Sequence, residues 1–211
     1  MEIRTRFAPS PTGDLHIGGA RTALFNYLFA KSMKGKFLLR IEDTDLERSD
    51  SSLSEKIIDD IRWLNITIDE EIVFQQQNLN KHKQIIDFLL KEGFAFRCYS
   101  DKQDLRKSYI DENGTPATAF RSPWRERILK DNRSRDCVIR FKVPNNSSRV
   151  SFVDKIRGNL SWDTSTIEDF VIARNDGSPT YNLAVVVDDH NMQISHVIRG
   201  EDHLTNTVKQ L

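Results

Sequence analysis

The sequence predicts an α/β protein built on a doubly wound parallel sheet, with a smaller α+β subdomain inserted into it. Three observations predict this. A strand, a loop, a helix and a second strand follow one another between Glu2 and Ile41, the succession that opens a doubly wound fold. The second strand, Lys36-Phe-Leu-Leu-Arg-Ile41, has the apolar centre of a strand buried on both faces. After Phe94 the texture changes to polar and turn residues with short strands, as an insertion between two halves of a sheet would.

Each element has its own signal. Glu2–Ala8 reads as a short strand, and Pro9-Ser-Pro-Thr-Gly-Asp14 as a rigid loop. A helix begins near Gly18, with Ala20, Ala23, Leu24, Tyr27, Leu28 and Lys31 on one face and Gly35 as its stop. Asp50-Ser51-Ser52 caps a second helix that turns Leu53, Ile57, Ile58, Ile61 and Leu64 inward. A third spans Asn78–Glu92, with Ile85, Ile86, Leu89 and Leu90 inward. Short strands are expected at Cys137–Val143, Val150–Asp154 and Asn159–Trp162, then a helix over Pro179–Asn191. Ile194–Arg199 reads as a buried strand, and Gly200-Glu-Asp202 opens a last helix. The expected organisation is residues 1–97 as the first half of a nucleotide-binding domain, 98–176 as the insertion and 177–211 as the start of the second half.

Bulk properties narrow the class. Apolar residues make up 38% and charged residues 29% of 211, enough for a packed core. The net charge is zero, so no global basicity points to nucleic acid and local charge must be read instead. Cys98 and Cys137 make no disulfide framework. There is no secretory leader pattern at Met1–Thr12, and the longest aliphatic run, Leu183–Val187, is far short of the roughly 20 residues of a membrane helix. A cytoplasmic monomer is expected.

The chemistry concentrates in two places. Pro9–Gly19 lies between the first strand and the first helix, where helix amides can face a phosphate. Gly18 and Gly19 let a nucleotide approach the backbone, and His16 can donate to phosphate oxygens as charge builds on them. No P-loop pattern is present. Arg6, Glu42 and Arg199 stand near ends of predicted strands, where sheet ligands bind. Arginine forks suit carboxylates, Glu42 suits an ammonium, and Tyr181 can donate to a carboxylate.

Four blocks carry a resemblance. Arg6-Phe-Ala-Pro-Ser-Pro-Thr-Gly-Asp-Leu-His-Ile-Gly-Gly19 resembles the first signature of class I aminoacyl-tRNA synthetases, and of glutamyl-tRNA synthetases in particular. Arg40-Ile-Glu-Asp-Thr-Asp45 is similar to a second glutamyl signature, where glutaminyl enzymes tend to carry Asp at the position of Glu42. Pro179–His190 and Ser195–Leu204 resemble the blocks that follow at the family's spacing. The resemblance implies a Rossmann-like catalytic domain with an inserted acceptor-binding subdomain. Its activity would be ATP-dependent formation of glutamyl-adenylate and transfer of glutamate to the 3′-terminal ribose of tRNA(Glu). It implies Arg6, Ala8, Ser10, Glu42, Tyr181, Val185 and Arg199 around glutamate, and His16, Gly18, Gly19 and Asp202 near ATP.

Further expectations follow. Val185 stands where some relatives are polar, so only a backbone or wall role is assigned to it. Cys98-Tyr-Ser100 lacks the second cysteine of a zinc half-site, so no zinc is expected and both cysteines are read as buried thiols. Asp188-Asp189-His190 reads as a helix end with solvated or capping carboxylates rather than a metal site, with magnesium carried mainly by ATP and water. His82 and His196 read as surface or satisfied core residues, and Leu105, Tyr109 and Ile110 as packing within the insertion. The basic stretch from Arg121 to Lys142, with Arg125, Arg127 and Lys130, is read with the resemblance as a contact to the tRNA acceptor end. No Lys-rich second signature is present, so the chain is expected to stop before it and before any anticodon-reading region, which leaves the activity of this stretch alone open. Rival readings share parts of the pattern: a glutamyl-queuosine tRNA synthetase, a non-catalytic tRNA- or glutamate-binding fragment, and a small-molecule nucleotidyltransferase.

Overall fold

The computed structural model describes residues 2–44, 50–99, 119–126, 136–144 and 148–211. The chain divides into two compact units, one from Met1–Lys81 and Ala184–His203, the other from His82–Leu183 and Leu204–Leu211.

In the first unit, β1 (Arg4–Phe7), α1 (Ile17–Ser32) and β2 (Lys36–Ile41) form the expected βαβ start. β2 runs parallel to β1, with Arg4 opposite Lys36 and Phe7 opposite Leu39. The helix α2 (Ser51–Trp63) follows, capped by Asp50, whose Oδ1 accepts from Ser52 N at 2.8 Å. A third parallel strand, β3 (Val73–Phe74), pairs with β2 and completes the order β1-β2-β3. A two-residue strand has no period to read, so the sequence did not announce it. A 3₁₀ turn, Gln75–Asn78, comes after it.

The core of this unit lies between the sheet and its helices and contains Phe7, Phe37, Leu39, Ile41, Ile57 and Ile61. The face that α1 buries differs from the expected one: it is Ala23, Asn26 and Ala30, while Leu24 and Leu28 are exposed. The helix is apolar around most of its girth, so periodicity could not choose the face. Small alanines let it approach the sheet closely, and Tyr27 meets Phe37 edge-on at 5.8 Å. Gly35 is not the left-handed stop. Lys34 takes that conformation with φ 55°, and Gly35 N donates to Ala30 O at 2.8 Å in a Schellman closure. Glycine is needed at 35 because a Cβ there would lie 2.2 Å from Ile3 O.

The helix α3 (Leu79–Lys91) leads into the second unit and buries His82 and Ile86. Ile85, expected inward, is 38% exposed. In this unit β4 (Ala95–Cys98), β5 (Val138–Phe141) and β8 (Val171–Ala173) form an antiparallel sheet in the order β4-β5-β8. Strands β6 (Arg149–Asp154) and β7 (Gly158–Asp163) form a hairpin whose inner side stacks Phe152 on Trp162 at 5.7 Å. Asp169 is the polar hub, fully buried, accepting from Arg125 and from Val143 N at 3.1 Å. Cys98 is buried beside Ser122, with 3.3 Å between Sγ and Oγ, and Cys137 is half-buried.

The helix α4 (Tyr181–Asn191) is as expected and returns the chain to the first unit, and α5 (Leu204–Gln210) closes the second. Residues 194–200 are not a strand. Ser195 N and His196 N both donate to Arg4 O, at 3.0 and 3.2 Å, and Ser195 Oγ takes Arg4 N. Asn26 Nδ2 binds Ile198 O at 2.9 Å. The Ser195 and Asn26 side chains take Arg4 N and Ile198 O, so the apolar run does not join the sheet.

Candidate functional site

The loop after β1 is tied to the end of β2: Glu42 N donates to Pro9 O at 2.9 Å. Ala8 and Ser10 line this loop, the first half-buried and the second exposed. His16 is the N-cap of α1, and its Nδ1 accepts from Gly18 N at 3.1 Å and Gly19 N at 3.3 Å. This changes the sequence expectation. Two of the helix amides meant for a phosphate are spent on the histidine ring. A neutral imidazole accepting at Nδ1 carries its proton on Nε2, and the ring is exposed, so the donor offered to an anion is Nε2–H. A Cβ on Gly18 would sit 2.9 Å from the ring's Cε1, so a side chain there would push the ring from its capping position.

Arg6 is buried in β1, and its fork is bidentate with Asp189, Nε to Oδ1 at 3.0 Å and Nη2 to Oδ2 at 3.1 Å. Arg40, wholly buried in β2, donates from Nη1 to Asp189 Oδ1 at 2.5 Å and from Nη2 to Glu42 Oε1 at 3.1 Å. Two cations and two anions thus form one line of contacts from β1 through α4 to the end of β2. Burial pushes the Asp189 carboxyl up, but Arg6 and Arg40 outweigh it and hold it below its ordinary value. For Glu42 burial prevails over the Arg40 contact and raises it.

The expectation that Asp188 and Asp189 are solvated or capping carboxylates is not met, since both bond other side chains. Asp188 is fully buried and accepts from Gln75 Nε2 at 2.8 Å and Asn78 Nδ2 at 2.9 Å. The Asp189 side chain is only 17% exposed. Arg40 and Asp189, which join Arg6 to Glu42, were not among the residues the sequence singled out for the candidate site. The available signal was an arginine inside an apolar strand, and a pair of acids directly after an aliphatic run.

The remaining residues are placed as follows. Tyr181 opens α4, half-buried, and is counted in the second unit. Val185 is buried in the middle of that helix. Arg199 is half-buried in the segment 194–200, and Asp202 is exposed in the 3₁₀ turn Glu201–His203. His82 is buried, and His196 is half-buried against Phe29 at 5.1 Å between ring centroids. Arg121 and Arg125 turn their donors into the second unit: Arg121 Nη2 binds Thr164 O at 2.9 Å, and Arg125 binds Asp169 and Val143 O. Arg127, Lys130, Ser100, Leu105, Tyr109 and Ile110 lie outside the described residues. Among the described residues there is no cluster of three or more His, Cys, Asp or Glu able to hold a metal, and no helix long and apolar enough to cross a membrane.

Comparison with known proteins places these features. The family model for class I tRNA synthetases (E and Q), catalytic domain, matches residues 2–211. A glutamate–tRNA ligase 2 of Anaplasma phagocytophilum is 48% identical over 214 residues, covering 100% of this chain and 45% of that protein. A glutamate–tRNA ligase 1 of Orientia tsutsugamushi is 49% identical over 217 residues, covering 99% of this chain and 45% of its own. A crystal structure of a glutamate tRNA ligase from Elizabethkingia meningosepticum, in complex with its amino acid, superposes with a TM-score of 0.85 at 33% identity, covering 100% of this chain and 46% of that one. The chain spans less than half the length of these relatives.

Proposed function

This chain belongs to the family of class I tRNA synthetase (E and Q) catalytic domains, and from that membership we propose that it contributes the glutamate- and ATP-binding part of a glutamate–tRNA ligase. The reaction has two steps. The α-carboxylate of L-glutamate attacks the α-phosphate of ATP, forming the carboxyl–phosphate bond and releasing pyrophosphate. The terminal ribose hydroxyl of tRNA then attacks the adenylate carbonyl and expels AMP.

One observation carries the reading: Arg6 is buried and fixed by Asp189 on the Nε–Nη2 side, which leaves Nη1 without an acceptor among the described residues. A pre-oriented arginine donor recognises a carboxylate at little ordering cost. Glu42 on the same line of contacts would take the substrate ammonium. His16 Nε2–H, held by its own cap, would meet the phosphate charge that grows at the α-phosphate. Catalysis of this kind is positioning and charge neutralisation, without a covalent enzyme intermediate. Magnesium would arrive with ATP, bound through phosphates and water, and supply further charge neutralisation. Tyr181, Val185 and Arg199 complete the glutamate contacts, and Asp202 the nucleotide contacts, in this proposal.

Residues 98–176 are proposed to handle the tRNA acceptor end, with residues 1–97 and 177–211 forming the nucleotide-binding part. Within the former, Arg127 and Lys130 are the phosphate-facing candidates. Arg121 and Arg125 act by fixing the framework around Asp169, since their donors are engaged there.

Calorimetric titration with a non-hydrolysable glutamyl-adenylate analogue, beside aspartyl and glutaminyl analogues, tests this. Preferential binding of the glutamyl compound, lost on Arg199→Ala, is the expected result. Equal binding of all three would leave an adenosine site without the side-chain recognition assigned here.

A further inference from the structure

Two buried arginines stand two residues apart on β1 and use their forks differently. Arg4 commits all three nitrogens: Nε to Met192 O at 2.9 Å, and Nη1 and Nη2 to Glu70 at 2.6 and 2.8 Å. That is a tie in which every nitrogen of the fork is engaged. Arg6 commits Nε and Nη2 to Asp189, and its Nη1 has no acceptor among the described residues. The Oδ1 atom of Asp189 also accepts from Arg40, which passes on to Glu42.

We propose that Asp189 is a positioning residue for amino-acid recognition: it orients the Arg6 fork from α4 and, through Arg40, sets Arg6 and Glu42 in one fixed relation. This rests on the reading of Arg6 and Glu42 as the groups that meet the substrate carboxylate and ammonium. The physical case is preorganisation. An unpinned arginine must give up rotamer freedom when it binds a ligand, and the Asp189 pin removes that freedom beforehand. Arg40 is wholly buried between two anions, so it cannot swing away. A shift of either anion therefore moves the other end of the line. A buried charge cluster is a poor device for stability alone, since apolar residues of like volume hold a fold as well.

The test uses the whole chain, with Asp189→Asn, Asp189→Glu, Arg6→Lys and the Asp189→Asn/Arg6→Lys pair. Each is titrated with the glutamyl-adenylate analogue and, separately, with a non-hydrolysable ATP analogue. A positioning role predicts that both Asp189 variants weaken the glutamyl compound roughly tenfold or more while ATP-analogue affinity stays within about twofold. It also predicts that Arg6→Lys adds little on the Asp189→Asn background, because both changes undo the same oriented fork. If Asp189→Asn fails to fold, Asp189→Glu decides by the same criteria, since it keeps the charge and moves it by one methylene. Equal loss of both ligands, or additive effects in the pair, would assign Asp189 a structural role and overturn the proposal. Unchanged glutamyl binding in the variants overturns it alone. A wild-type chain that binds no glutamyl analogue overturns the functional reading and this one with it.

Discussion

Arg4 grips both carboxylate oxygens of Glu70, Nη1 to Oε1 at 2.6 Å and Nη2 to Oε2 at 2.8 Å, and so ties β1 to the segment that leads into β3. Lys36 adds a third contact at 3.0 Å. Hydrogen bonds from Arg4 and then Lys36 hold the Glu70 carboxyl down at about 2, from an ordinary 4.5. The folded state therefore favours the charged form. The stability this gives is present above pH 4.5 and is lost as pH falls from 4.5 towards 2. Because the Glu70 side chain is 37% exposed, solvent screening leaves about 1 kcal/mol. Urea denaturation of wild type and Glu70→Gln should show a gap of that size at neutral pH, closing across that acid window. A gap that stays constant to pH 2 would mean the pair contributes through packing and not through charge.

Gly35→Ala should destabilise the protein by roughly 2–3 kcal/mol, because the new Cβ would lie 2.2 Å from a backbone oxygen, Ile3 O, which can move only with β1. Gly13→Ala is the control. Nothing lies within 4 Å of its Cβ position, and its cost should stay within about 0.5 kcal/mol. Chemical denaturation of the two variants reads the difference directly.

How far the sequence spoke depends on whether a feature is local. The bounds of β2 and the Asp50 cap of α2 were legible, because an apolar strand and an Asp-Ser-Ser helix start carry their causes within a few residues. The run Ile194–Arg199 was misread because strand propensity says nothing about partners. The Ser195 and Asn26 side chains take Arg4 N and Ile198 O instead. Arg6, Glu42 and His16 stood out as candidates through their signatures, and Arg6 and Glu42 fall on one line of contacts. The Arg6–Asp189 and Arg40–Asp189 contacts join residues 183 and 149 positions apart, and no local pattern encodes such a pairing. The acidic pair after an aliphatic run therefore read as a helix end with solvated or capping carboxylates.

Asp169→Ala should cost about 3–5 kcal/mol, the range for breaking a buried ion pair from one side. Asp169 is wholly buried, and its loss strands the Arg125 guanidinium, whose side chain is 8% exposed. The amides of Ser122 and Val143 lose the same acceptor. Hydrogen exchange should therefore rise first at those two amides. Unchanged protection at both would contradict the role of Asp169 as the hub of its unit.

His16 has two separable duties, and substitutions can divide them. Its Nδ1 caps α1 through the amides of Gly18 and Gly19, and its Nε2–H is the donor proposed for ATP phosphates. His16→Ala removes both and should cost about 1 kcal/mol of stability, as the loss of a cap does. His16→Asn supplies a good capping side chain but has no group that reaches as far as Nε2. It should retain stability within about 0.5 kcal/mol of wild type, while affinity for a non-hydrolysable ATP analogue falls roughly tenfold. Thermal melts and calorimetry on the two variants separate the outcomes. If His16→Asn binds the ATP analogue as tightly as wild type, the ring serves the helix alone, and the phosphate contact must come from the backbone of the Pro9–Gly19 loop.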